Sequence, residues 1–230
     1  MNANGYKALG IDLDAQGNLS YTVNAAAGGP SIYDALDIKQ PTITAADAVQ
    51  HLAGGDFIPA SFALNGADIT IQGKGREYRL REALAPLNDS YDFAIIDTEP
   101  HLGILTVNAL TAAERVILPT QADMFSLQGI AQLWSNIRMI VESGANPSLK
   151  VDGILLTRYN ARTTIARDLK DLLQATAEKM GTRLYDTTIR EATAVKESQA
   201  RQESIFKTAP GSHVAHDYES FIKEFFRRTP

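Results

Sequence analysis

The run Phe93-Ala94-Ile95-Ile96, closed by Asp97-Thr98-Glu99-Pro100, constrains the fold of this chain more than any other stretch. It is apolar throughout with no polar alternation, and two of its residues are β-branched. That pattern suits a strand covered on both faces, as in a parallel α/β sheet. The carboxylate that follows then lies at the strand's C-terminal end, where open α/β sheets bind ligands. An acid in that place is positioned to hold a hydrated metal ion beside phosphates. Taken alone, the stretch is equally compatible with a strand that simply ends in a polar turn.

A second unit of the same kind stands near the N-terminus. Tyr6-Lys7-Ala8-Leu9-Gly10-Ile11 reads as a strand and runs into Asp12-Leu13-Asp14-Ala15-Gln16-Gly17-Asn18. This is a polar turn with Asp12 and Asp14 on one side of an extended chain. Further along, short helices are expected at 31–36 and 44–52, the second capped by Thr44 with Asp47 in its first turn. A brief strand is expected at 56–59, a helix or helical turn at 61–71 and a helix at 77–87. Helical spacing returns at 102–113, and a buried strand at 115–119. The clearest helix is 126–143, where Leu127, Ile130, Leu133, Ile137 and Val141 recur at steps of three and four, with Trp134 beside them in a core role. Strands at 151–157 and 183–189 and helices at 163–180 and 214–226 complete the chain. Strands alternating with helices indicate an α/β fold with a doubly wound, mostly parallel sheet. With no repeat, low-complexity segment or linker, residues 1–230 read as a single domain.

Composition excludes some functions. Acids outnumber bases 27 to 22, for a net charge of −5, which argues against a nucleic-acid coat but leaves room for a local basic patch. Cysteine is absent, so there is no disulfide framework and no thiolate metal site, in keeping with a cytoplasmic setting. No apolar run approaches membrane-spanning length. The segment Met1 to Gly5 is too short and polar for a secretory signal. His51, His101, His213 and His216 show no metal-ligand spacing. Arg190, Lys196, Arg201 and Lys207 form either a basic stripe for phosphate backbones or a solvated surface interrupted by Glu191, Glu197 and Glu203.

Taken together, the motifs resemble the ParA/Soj partition ATPases and their MinD relatives. Gly10 to Asn18 looks like the family's A-prime motif, and Ile95-Ile96-Asp97-Thr98-Glu99-Pro100 resembles its Walker B motif. Leu105 to Ala113 is similar to the helix that follows. Val116 to Gln121 and Leu155 to Thr163 are similar to the next two strand ends. The resemblance implies a P-loop NTPase-like fold and a nucleotide-sandwich homodimer that binds DNA non-specifically, associates with the nucleoid and hydrolyses ATP when a ParB-like partner stimulates it. By position it implies that Asp97 holds magnesium through water, Asp12 supports the metal and phosphate region, and Asp14 orients or activates the attacking water. It places Arg158 and Asn160 near the base, and Arg162 at a DNA-contacting position. A membrane-bound MinD-like role would rest on the terminal helix, whose Glu219 and Glu224 oppose anionic lipid.

The chain departs from the family in several places. Ala15 and Glu99 stand where proline is usual. Arg190-Glu191-Ala192-Thr193-Ala194 replaces a Pro-Arg-Asn-Val-Arg stretch, so the second DNA-contacting arginine aligns with Ala194, and Lys196 is the candidate that compensates. The family's Lys-Gly-Gly-x-Gly-Lys-[Ser/Thr] loop does not occur in this sequence. A strand–helix–strand unit carrying it takes roughly 30 residues, and only a handful precede the Asp12 strand. The fold is therefore expected to miss the first strand and the P-loop helix. An ammonium about 4 Å from a phosphate charge contributes roughly 4 kcal/mol at an effective dielectric near 20, on the order of a thousandfold in affinity. These residues are accordingly expected neither to bind ATP tightly nor to hydrolyse it. The intact remaining motifs favour a start inside a complete ATPase over a degenerate paralogue. The competing reading is a nucleotide-independent module that binds DNA or protein.

Overall fold

The computed structural model describes residues 5–36, 43–99 and 101–228. They form two compact units, 1–113 and 114–230.

In the first unit, strands β1 (Ala8–Asp12), β2 (Gln50–Leu52), β3 (Gly55–Ile58) and β4 (Phe93–Asp97) make one sheet in the order β2-β3-β1-β4. β1 pairs in parallel with both β3 and β4, and β2 joins β3 as an antiparallel hairpin through Gly55 at φ 132°. Helices α1 (Asn18–Thr22), α2 (Ile32–Leu36), α3 (Ala67–Thr70), α4 (Arg79–Leu84) and α5 (Ile104–Ala112) fill the connections. Leu9, Ile11 and Leu13 carry the sheet's apolar face into a core with Ile32, Ile58, Leu64 and Leu80. On the other side Gly10 lets the Phe57 ring lie against β1, since a Cβ there would come within 2.7 Å of Phe57 Cδ2.

In the second unit, β5 (Arg115–Thr120) pairs in parallel with β6 (Lys150–Leu156), with an irregularity between Val116 and Ile117. Around them lie α6 (Met124–Glu142), α7 (Thr164–Lys179), α8 (Thr193–Ala200), α9 (Ile205–Thr208) and α10 (His213–Arg228). The Asp123 side chain accepts from the Ser126 N–H and starts α6 two residues earlier than its apolar stripe implies. Trp134 on α6 is half-buried, lining a groove with Val141, Leu149 and Val151. α10 lays Val214, Tyr218 and Phe221 on Leu155, Tyr185 and Ile189.

Four expectations need correction. Residues 44–52 are not one helix. Thr44 and Asp47 form a capping box on the short 3-10 helix Ala45–Ala48, and the chain then extends into β2, because the hairpin through Gly54-Gly55 offers it a strand partner. Residues 77–87 form a helix broken into α and 3-10 pieces, with Pro86 in the last piece. Residues 183–189 make only isolated bridges beside β6, at Leu184 and near Arg190. The buried carboxylate of Glu224 on α10 takes the Asp186 and Thr187 N–H groups at 2.9 and 2.8 Å, so they are lost to a strand ladder. Finally, β4 is not covered on both faces. Ile96 packs on the core, but Ala94 is exposed and Ile95 keeps 48% of its surface. β4 ends the sheet order, and no strand pairs with its outer edge among the described residues. Helices α1, α8 and α9 have too few apolar residues to show a period.

Candidate functional site

The site in the first unit is built by strand register. Asp12 and Asp97 are partner positions at the C-terminal ends of β1 and β4, neighbouring strands in a sheet whose spacing is about 4.8 Å. The Leu13 N–H donates to the Asp97 carbonyl at 2.9 Å, so the pairing continues just past the acids. The two strand–acid units therefore converge on one end of one sheet.

The acids differ in their surroundings. Asp12 is fully buried. One carboxylate oxygen accepts from the Ser20 N–H and hydroxyl, each at 2.7 Å, and the other from the Asp14 N–H at 3.1 Å. The Ser20 hydroxyl in turn accepts from the Ala60 N–H at 3.0 Å. Asp12 thus fastens the turn after β1 to α1 and to the end of β3. Asp14 accepts from the Gln16 N–H at 2.8 Å and is half-buried, while Asp97 is exposed on its open side. Desolvation by the surrounding protein, then the like charges of Asp12 and Asp14, push the Asp97 carboxyl above its ordinary value, against a backbone hydrogen bond from Thr98. Crowded hard-oxygen donors of this kind suit a divalent cation such as magnesium. Among the described residues no group of three acids or histidines is disposed to chelate a metal directly.

Glu99 links the turn after β1 to the loop after β4. It accepts from the Ala15 N–H at 3.3 Å and pairs with His101 Nδ1 at 2.9 Å. Asp68 sits in the same cleft and caps α5, accepting from the Ile104 N–H at 2.8 Å. Glu99 and His101 therefore satisfy each other. Pro100, between them, lies outside the described residues.

In the second unit, the candidate base and DNA residues share one surface. The Tyr159 N–H donates to the Ile189 carbonyl at 3.0 Å, and Tyr159 bridges Arg190, so the loop after β6 lies beside the segment before α8. Arg158 sits there at φ 49°, a left-handed conformation costly for a residue with a side chain. Its Nη2 donates to Glu191 Oε1 at 3.1 Å, and the same oxygen receives Lys196 Nζ at 3.9 Å. Asn160 uses its side-chain oxygen on the Arg162 N–H at 3.1 Å, closing the loop. Arg162 is exposed, and its guanidinium has no ion-pair partner among the described residues. Arg190 is held by Asp217 through two bonds of 2.6 and 2.7 Å, and Lys207 pairs with Glu203. The supposed stripe is thus largely interleaved with acids.

Sequence reasoning missed two residues of these sites. Ser20, which fixes Asp12, lies on the unexpected α1. Glu191 was read as a departure from the family pattern and an interruption of the basic stripe, and nothing in the sequence signalled its pairing with Arg158 and Lys196.

The AAA domain family model matches residues 1–151. The sporulation initiation inhibitor protein Soj of Bacillus subtilis is 33% identical over 225 residues, 96% of this chain and 86% of Soj. The chromosome partitioning protein ParA of Caulobacter vibrioides is 36% identical over 199 residues, 84% of this chain and 73% of ParA. Among solved structures, cobyrinic acid a,c-diamide synthase from Mycobacterium smegmatis superposes with a TM-score of 0.82 at 29% identity, covering 98% of this chain and 84% of that one. The same enzyme with bound ATP analogue and magnesium superposes at 0.73 with 31% identity, over 84% and 75%. The likenesses span both units: the chain belongs to the AAA domain family and to the ParA/Soj partition ATPases.

Proposed function

We propose that this chain is a partition protein of the ParA/Soj type, carrying the carboxylate half of a magnesium–nucleotide site and a separate duplex-DNA surface. The observation that carries the reading is the register pairing of Asp12 with Asp97, with Asp14 close enough to repel. Asp97 holds hydrated magnesium through water, Asp12 keeps the turn in place for phosphate and metal, and Asp14 orients the attacking water. Magnesium supplies charge neutralisation for the phosphates when bound. Arg158 and Asn160 stand near the base; Arg162 and Lys196 contact DNA. The resemblance of the chain to the ATP-analogue- and magnesium-bound synthase supports the cofactor pair. A ParB-like stimulating partner, a homodimer and residence on the nucleoid in the cytoplasm follow from the same family reading, with the two units acting as one domain.

These residues contain no Lys-Gly-Gly-x-Gly-Lys loop, so by themselves they bind ATP weakly and do not turn it over. One observation favours the DNA reading over a MinD-like membrane role: Val214, Tyr218 and Phe221 of α10 pack on Leu155, Tyr185 and Ile189.

The test is thermal melting with and without millimolar magnesium. Magnesium should raise the melting temperature of the wild type and leave Asp97→Asn unmoved. An equal rise in both removes the metal assignment. ATP turnover by these residues that is lost in Asp14→Ala would overturn the inactivity.

A further inference from the structure

We infer that Glu191 is an internal stand-in for a DNA phosphate: its carboxylate occupies Arg158 and Lys196 in the free protein, and duplex DNA binds by displacing it. The inference rests on the reading of this surface as a duplex-binding one.

The geometry is that of a phosphate oxygen between two bases. A single oxygen, Glu191 Oε1, lies 3.1 Å from Arg158 Nη2 and 3.9 Å from Lys196 Nζ. The three side chains keep 56%, 52% and 71% of their surface for Arg158, Glu191 and Lys196, so the pairs are solvated and open at little cost. The neighbouring Arg190–Asp217 pair is the opposite case. Its carboxylate is 12% exposed and bound twice, with a third bond from the Arg190 N–H at 3.1 Å. Arg190 therefore stays where it is, while Arg158 and Lys196 are releasable.

The scaffold under the pair does not depend on the carboxylate. The Tyr159–Ile189 hydrogen bond and the Tyr159–Arg190 bridge hold the two segments together through backbone. Arg158 is fixed in its left-handed conformation by the same framework, the kind of strain that persists only where surrounding structure imposes it. Removing the charge at 191 thus changes electrostatics and leaves the loop in place. With Glu191 ionised, Arg162 is the cation of this loop that has no acid partner among the described residues. With it neutral, Arg158 and Lys196 join it.

Each phosphate contact contributes about 0.9 to the slope of log affinity against log salt. Removing the Glu191 charge adds one net positive charge facing the phosphates, so it steepens the slope by about 0.9 and tightens binding about eightfold at 0.1 M salt relative to 1 M. The measurement is fluorescence anisotropy of a labelled random-sequence duplex titrated with the full chain over about 0.05 to 0.3 M salt. It compares wild type, Glu191→Gln, Glu191→Ala, Arg162→Ala and the double variant Glu191→Gln with Lys196→Ala. The expected result is tighter binding and a steeper slope for both Glu191 variants, at unchanged melting temperature, with the double variant falling back toward wild type. If Arg162→Ala weakens binding but both Glu191 variants lie on the wild-type line, the stand-in role is wrong and the DNA reading survives. If neither wild type nor Glu191→Gln shows salt-dependent binding, the DNA reading falls and takes this inference with it.

Discussion

Two aspartates on strands of this protein, Asp97 in the first unit and Asp152 in the second, have opposite fates. Asp97 stands at the C-terminal tip of β4, facing Asp12 and Asp14, and its carboxyl is pushed up by desolvation and by their charges. Asp152 lies within β6, with a side chain only 5% exposed. Burial works against its charge, but it accepts from the Tyr185 hydroxyl, from Arg183 Nη2 at 2.7 Å and from Arg115 Nη1 at 2.8 Å, and its carboxyl is held below the usual range. The first acid has only the Thr98 backbone hydrogen bond against that repulsion, in line with the cation site proposed for it; the second is complete. A saturated carboxylate in mid-strand marks structure.

The comparison breaks most visibly at Asp152. Replacing it by alanine leaves two guanidinium groups and a phenol without their acceptor. Removing one partner of a buried pair costs about 3–5 kcal/mol. Arg115 and Arg183 keep 32% and 26% of their side-chain surface, which places the loss near about 3 kcal/mol, or roughly 6–12 °C for a chain of this size. Thermal melting by circular dichroism measures it; an unchanged melting point would show that the cluster is not structural.

A smaller loss is expected next door. A Cβ on Gly153 would come within 2.8 Å of the fully buried Tyr185 ring. Gly153→Ala should cost about 1–3 kcal/mol through overpacking, seen as a lower denaturation midpoint in urea.

Asp97→Asn should act the other way. The folded pKa of Asp97 is raised, so ionisation at neutral pH penalises the folded state. That penalty fades as pH falls through the raised folded value and is gone below the ordinary carboxylate value, near 3.9. The variant should be slightly more stable than wild type at pH 7 and equal to it near about pH 3. For Asp152 the sign reverses. Its stabilisation is present above the ordinary carboxylate value and is lost as pH falls through its depressed folded value. Acid should therefore narrow the gap between wild type and Asp152→Ala. Melting curves across this range sharpen the contrast, and a gain for Asp97→Asn that grew on acidification would reverse the assignment.

The strand–acid units were legible because both signals are local: an apolar run, then a carboxylate, within ten residues. Register did the rest, since parallel pairing of β1 with β4 sets Asp12 opposite Asp97. What was not legible involves partners far apart in sequence. Arg158 meets Glu191 across 33 positions, and Glu224 reaches Asp186 across 38, disrupting a strand that its own residues favour. β2 lies inside a segment whose spacing is helical, and the hairpin with β3 decided it. The apolar run in β4 was right as a strand and wrong as a covered one, because coverage depends on what packs beside it.

The amino-acid order by itself determined which segments could be strands, where their acids fell and which family they belong to, because those follow from side-chain period and nearest neighbours. Only the folded chain decided which charges were neutralised. Asp152 found three donors, Glu191 found two cations, and Asp97 found two more acids. A charge's energy depends on distances that close when remote segments meet, and no local pattern encodes them.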